Sequence, residues 1–310
     1  MREHVLLPFF YAVIFALRTG YSATAKTQHP IKEEIYMAKN VIEIKNLTKR
    51  YGEHRGVEDV SFTVQEGDIF GFLGPNGAGK STTIRSMLGF LNYEGKINIL
   101  GLDAASSHER LMKNIGYMPS EAMFYPSMKV SDVIRLSADI RGVKCDDEAA
   151  KLCERLKVDT TRKINELSLG NRKKVSIVCA MQHKPALFVF DEPTSGLDPL
   201  MQNTFFELIE EYVKEGTTCL LSTHVLSEVK DHCKNVAIMK EGKLISTGSV
   251  DELTHTNSKR VVVTADGERS DYLYTGDMNS LINKLSTKNV TYLTITDPSI
   301  EEIFMGYYEK

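Results

Sequence analysis

Eight consecutive residues, Gly74-Pro75-Asn76-Gly77-Ala78-Gly79-Lys80-Ser81, match the spacing G-x-x-x-x-G-K-[ST]. Glycines at these places let the backbone curl so that successive N–H groups point at phosphate oxygens, and a helix starting at the loop's end adds its partial positive charge. Lys80 is spaced to reach the β- and γ-phosphates of a nucleotide, and the Ser81 hydroxyl to bind Mg²⁺. Thr82 follows in the same nucleotide-binding set. A second chemical feature is the apolar run Leu187-Phe188-Val189-Phe190, which ends in Asp191-Glu192. Two acids at a strand tip suit phosphoryl transfer to water: Asp191 holds the metal through its water shell, and Glu192 orients or deprotonates the attacking water. A strand that merely ends in solvated acids has the same composition, so the residues around the pair must decide.

The phosphate loop needs a buried strand before it and a helix after it. Ile69-Phe70-Gly71-Phe72-Leu73 is a short apolar run suited to a buried strand, and Ile84, Met87, Leu88 and Leu91 recur at helical spacing beyond the loop. Upstream, Val41, Ile42, Ile44 and Leu47 read as one strand and Val60, Phe62 and Val64 as another. Residues 130–167 carry mostly helical periodicity, as in Ala149, Leu152, Cys153 and Leu156. Strands resume at residues 186–190 and 219–222, and residues 236–239 and 243–245 flank a Lys-Glu-Gly turn in the manner of a hairpin. Beyond about Leu253 short strands at 261–263, 272–274 and 292–295 precede a terminal helix through Ile300, Ile303 and Phe304, with Asp297 and Pro298 at its start. This stretch reads as a small α+β appendage.

From residue 41 to 253 the sequence resembles the ATP-binding subunits of ABC transporters, with six motifs in the family's order. Tyr51 stands where that family stacks an aromatic ring on adenine, and residues 74–81 form its phosphate loop. Leu167-Ser168-Leu169-Gly170-Asn171 occupies the signature, usually LSGGQ. Asp191 and Glu192 match the metal-binding and catalytic acids, Ser195-Gly196-Leu197-Asp198 the D-loop, and His224 in Leu221-Ser222-Thr223-His224 the switch histidine. Two departures stand out. Gly116-Tyr117-Met118-Pro119 continues into Ser120-Glu121 where the family has glutamine, and Leu169 and Asn171 replace the signature's glycine and glutamine. Similar variants resemble those of exporters of drugs, antibiotics and related compounds, and Ser120 or Glu121 becomes a candidate neighbour of the metal.

The resemblance implies an α/β P-loop NTPase of the ABC cassette type: a RecA-like core, an N-terminal antiparallel β-subdomain and a helical insertion at about residues 119–168. The accessory domain would occupy residues 254–310. It further implies an ATPase that uses ATP and Mg²⁺, with Glu192, His224 and Lys80 as its catalytic set. ATP would lie between one chain's residues 74–81 and Ser168 and Gly170 of a second cassette, in a homodimer or a paired-subunit dimer. A separately encoded integral membrane permease, contacted through residues 119–163, would hold the cassette at the cytoplasmic face of the cell membrane. The alternative is a soluble ABC-type ATPase not coupled to transport, but neither a tandem second cassette nor a long heptad coiled coil is present.

Composition sets the outer bounds. The chain has 310 residues, 42% hydrophobic and 25% charged, enough to bury a sizeable core. A formal charge of -3, from 38 basic and 41 acidic residues, gives no electrostatic reason to expect nucleic-acid binding. Five cysteines without C-x-x-C spacing suggest reduced, buried thiols. Residues 1–36 differ from the rest: an apolar run over 5–17, broken by Pro8, is followed by polar sequence without periodicity. Lys32-Glu33-Glu34 can be encoded by a purine run resembling a bacterial ribosome-binding site, correctly spaced before Met37. We therefore read residues 1–36 as an upstream leader ahead of the true start, with a membrane-lying anchor and a cleaved signal as the alternatives.

Overall fold

The computed structural model describes residues 40–298, except 53, 122 and 255–257, together with residue 303. The expected leader at residues 1–36 lies outside the described residues, as does the expected terminal helix apart from Asp297 and Pro298 at its start and Ile303. The chain divides into two compact units between Thr247 and Gly248.

In the first unit, strands β1 (Asn40–Tyr51) and β2 (His54–Gln65) pair antiparallel, longer than their apolar runs because polar residues continue both ladders. Val60, Phe62 and Val64 alternate inward, as their spacing predicts, and all three are buried. Strand β3 (Ile69–Leu73) is buried at every position and runs into the glycine-rich loop and helix α1 (Lys80–Met87). The helix is shorter than its periodicity suggests: Leu88 caps it and Gly89 turns into the left-handed region at φ 74°, leaving Leu91 outside. Strands β4 (Glu94–Ile99) and β5 (Leu102–Asp103) follow, then helix α2 (His108–Met112) and strand β6 (Ile115–Met118).

The helical insertion contains α3 (Val130–Arg141) and α4 (Asp146–Arg155) and leads to α5 (Leu169–Met181). Ala149, Leu152, Cys153 and Leu156 are buried, as their spacing requires. Strand β7 (Leu187–Asp191), helix α6 (Pro199–Lys214), strand β8 (Thr218–Thr223), helix α7 (Leu226–His232), and strands β9 (Asn235–Lys240) and β10 (Lys243–Ser249) complete the unit. Glu241 and Gly242 both take positive φ between β9 and β10, the geometry of a tight hairpin turn.

Two sheets result. An antiparallel sheet has the order β2-β1-β4-β5, and a second has the order β10-β9-β3-β8-β7-β6, in which β9, β3, β8, β7 and β6 run parallel. Strands β3, β7 and β8 are covered on both faces, which is why they read as unbroken apolar runs. One core joins Val60, Phe62, Phe70, Phe72, Ile84, Met87, Ile97 and Val189 across the two sheets and α1. Phe62 stacks on Phe70 and Phe72 with ring centroids 5.6 and 5.3 Å apart. Parallel register sets Leu73 beside Thr223 and Asp191 beside Ser222, so the carboxyl ends of β3, β8 and β7 form one rim. Ligands of open parallel sheets bind at such a rim.

The second unit has a short helix α8 (Val250–Thr254) and a three-stranded antiparallel sheet, order β12-β11-β13: β11 (Lys259–Ala265), β12 (Glu268–Tyr274) and β13 (Val290–Thr296). Helix α9 (Met278–Ser286) connects β12 to β13 and puts Leu281 and Leu285 against Val261, Val263 and Ala265.

Candidate functional site

The loop at residues 74–81 turns back on itself because Gly79 takes φ 102°, and a Cβ there would come within 2.6 Å of Val57 Cγ1. Ala78 N donates to Pro75 O at 3.1 Å, Gly242 N donates to Ala78 O at 3.0 Å, and Thr83 N to Gly79 O at 2.9 Å begins the ladder of α1. Lys80 is 5% exposed, and its ammonium folds back over the loop, donating to Gly74 O at 2.6 Å and Pro75 O at 3.2 Å. The same Nζ stands 3.5 Å from Glu192 Oε1.

At the tip of β7, Asp191 is 1% exposed and neither carboxylate oxygen closes a hydrogen bond of normal geometry. Burial pushes its pKa up, against the pull of the Ser81 and Ser222 hydroxyls and, more weakly, Lys80; Glu192 adds to the rise. Two orphaned buried carboxylate oxygens beside a hydroxyl form a hard oxygen donor set, which fits Mg²⁺ held with phosphate oxygens and water.

Glu192 adopts φ 52°, a left-handed conformation that costs a residue with a side chain roughly 1 kcal/mol or more. Two main-chain bonds hold it there: its N–H donates to Ser222 O at 2.9 Å, and its carbonyl accepts from Lys173 Nζ at 2.5 Å. The carboxylate points between Lys80 and His224, with His224 Nδ1 3.4 Å from Oε1. His224 follows Thr223, whose hydroxyl donates to the buried Glu228 at 2.6 Å and accepts from Val225 N at 3.0 Å, bracing the loop that presents the histidine.

Lys80 and Glu192 line a cavity of about 1050 Å³ together with Tyr51, Gly56, Asn76, Gly77, Gly79, Ser81, Thr82, Ser120, Glu121, Phe124, Leu169, Arg172, Lys173 and Ser195, whereas Asp191 and His224 are not among its lining residues. Tyr51, 44% exposed, offers its ring as a stacking surface, with Lys49 Nζ 5.3 Å from its centre. Gly74, Pro75 and Ala78 do not line the cavity; they form the loop's support. Ser168 and Gly170 are also off the lining. Ser168 is the N-cap of α5, its hydroxyl accepting from Asn171 N at 3.3 Å, so these two residues mark a helix N-terminus with anion-binding character. Asp198 of the D-loop caps α6 in the same way, accepting from Met201 N at 3.0 Å. Sequence reasoning missed Lys173 and Glu228; the available signal was a lysine in a helix whose next turns, Val175 to Met181, are buried.

The chain matches the ABC transporter family over residues 57–195. It is 32% identical to the bacitracin transport ATP-binding protein of Bacillus licheniformis over 295 residues, 86% of this chain and 96% of that one. The chain belongs to the ABC transporter ATP-binding family. Cassettes of this family hydrolyse ATP. A probable multidrug ABC transporter ATP-binding protein of Escherichia coli is 35% identical over 219 residues, 69% of this chain; the chain spans 38% of that relative's length. Among solved structures, the ADP conformation of an ATP-binding cassette of an ABC transporter aligns with a TM-score of 0.59 and 28% identity, covering 69% of this chain and 93% of that one.

Proposed function

We propose that this cassette binds and hydrolyses MgATP to energise a separately encoded membrane permease that exports a drug, an antibiotic or a similar compound. The observation that carries the reading is the convergence of Lys80 and His224 on one oxygen of Glu192, at 3.5 and 3.4 Å, beside the buried Asp191. Ser81 and Asp191 would hold Mg²⁺, which neutralises developing charge on the phosphates when bound. Lys80 turns from the loop carbonyls toward the β- and γ-phosphates, Tyr51 carries the adenine, and residues 76–82 supply main-chain N–H groups and the helix α1 terminus. Glu192 orients the attacking water and accepts its proton, and His224 steadies the carboxylate and the γ-phosphate side. Ser168 and Gly170 serve the nucleotide of a second cassette, so a dimer completes two sites.

Among the described residues no helix is long and apolar enough to cross a membrane. In this reading the cassette works at the cytoplasmic face, attached through the permease. Names among its relatives, bacitracin transport and probable multidrug transport, support the class of cargo. Glu192→Gln is the decisive variant: MgATP should bind as in wild type while hydrolysis falls about 10²- to 10⁴-fold, the usual worth of a general base. Hydrolysis at the wild-type rate overturns the assignment. Recovery of an active wild-type ATPase wholly free of any membrane protein, with drug sensitivity unchanged on its deletion, favours the soluble ATPase instead.

A further inference from the structure

Lys173 lies two residues past the signature on α5 and is 2% exposed. A buried ammonium is stable only where its charge is paired and its N–H groups are bonded, and at this place in a largely buried helix a leucine or methionine would cost less. Its Nζ donates to the main-chain carbonyl of Glu192; burial lowers its pKa, and the negative charges of Glu192, Asp191 and Glu228 counter that pull only in part. These three acids come from the β7 tip, the residue after it, and α7. Lys173 thus bonds α5 to the main chain just past β7, while the three carboxylates act on it through their charge.

The bond to Glu192 falls on the residue whose backbone is held in the left-handed region. The direction of that side chain follows from its φ and ψ, so a cation fixed to its carbonyl helps fix where the carboxylate points. We propose that Lys173 is a positioning residue: it holds the Glu192 main chain and ties the aim of the catalytic carboxylate to the helix that carries the signature. The proposal rests on the reading of Glu192 as the group that acts on the attacking water. It also gives the signature helix a role inside its own chain: a shift of α5 moves the carbonyl anchor of the same chain's base.

The test compares Lys173→Met, Lys173→Arg, Glu192→Gln and the double variant Lys173→Met/Glu192→Gln in the full chain. The readouts are steady-state kcat and KM for MgATP, single-turnover rates for the slow variants, and calorimetric MgATP affinity. Lys173→Met should lower kcat about ten- to hundredfold while KM and affinity stay within about threefold, the mark of misaligned chemistry with intact binding. Lys173→Arg should recover kcat to within about threefold of wild type. In the Glu192→Gln background Lys173→Met should cost less than about twofold, because the group it positions is gone. Should Lys173→Met not fold, Lys173→Gln, neutral and polar, takes its place in both backgrounds with the same expectations. Wild-type kcat in the position-173 variant, or an equal loss in both backgrounds, overturns the proposal while leaving Glu192 as the base. Wild-type hydrolysis by Glu192→Gln alone overturns the reading of the base and the proposal with it.

Discussion

A Cβ on Gly170 would stand 2.4 Å from the carbonyl oxygen of Gly196, so the signature and the D-loop of one chain touch main chain to main chain. Gly196 itself takes φ 82°, and its carbonyl is set by a turn that Leu197 N closes on Thr194 O at 2.9 Å. Neither partner of this contact is a flexible side-chain end, so relief requires the backbone of α5 or of the D-loop to move. The glycine at 170 therefore has a reason inside the monomer, whatever it offers a second cassette.

Gly170→Ala should destabilise the chain by about 1 to 3 kcal/mol, the usual cost of overpacking, and slow hydrolysis because the shift reaches α5 and Lys173. MgATP affinity should change little, since residues 76–82 and Tyr51 are untouched. Urea unfolding alongside ATPase rates checks this, and wild-type values in both would show that the two loops part without cost.

The two ends of the candidate site differed in how legible they were. Residues 74–81 and 187–192 announce themselves because each motif is contiguous and its context, a wholly buried strand, leaves an unbroken apolar run. Lys173 did not, because its role exists only once α5 is packed against the β7 tip, nineteen residues farther along. Strand β4 was missed since Glu94 to Lys96 are exposed and only Ile97 and Ile99 mark its inner face. Strand β6, four residues with a glycine, is too short to carry a period. Helix α9 did leave a trace, Met278, Leu281, Ile282 and Leu285 at helical spacing, but it sits among short strands that drew the reading toward β structure.

Lys80→Ala should weaken MgATP binding about ten- to hundredfold, which is the loss of roughly 1.5 to 3 kcal/mol from hydrogen bonds to charged phosphates. The variant also frees the Gly74 and Pro75 carbonyls that the ammonium now braces. Calorimetric titration measures it, and near wild-type affinity would remove Lys80 from the nucleotide site.

Ser120 and Glu121 stand on the cavity wall where the family has glutamine, with Glu121 exposed to solvent. A carboxylate there attracts the cation and repels the γ-phosphate, and solvent screens both effects. Glu121→Ala should move half-saturation of hydrolysis by Mg²⁺ upward by about two- to threefold. An unchanged Mg²⁺ titration reduces Glu121 to a loop acid with no part in the site.

His183, just past α5, carries the clearest pH dependence of stability. Part of the residue reaches the surface, but both ring nitrogens are buried without a hydrogen bond of normal geometry. Burial, together with the nearby Arg141 guanidinium, depresses its pKa from 6.5 to about 3, against a weaker upward pull from the Ile115 main chain. The folded chain thus keeps the ring neutral while the unfolded chain protonates it below about pH 6.5. The unfolded state then binds more protons between those values, so the contribution is whole above pH 6.5 and is lost progressively as pH falls toward 3. At pH 5 the loss from this one ring reaches at most about 2 kcal/mol, from about 1.4 kcal/mol per pH unit. Arg141 donates to Ser137 O and Oγ at 2.8 and 3.0 Å, which fixes the guanidinium in place. His183→Gln keeps a polar side chain of similar length without the titration. Urea unfolding at pH 7.5 and pH 5.0 should therefore show wild type losing more stability than His183→Gln, and equal losses would mean that the ring takes up its proton inside the folded chain.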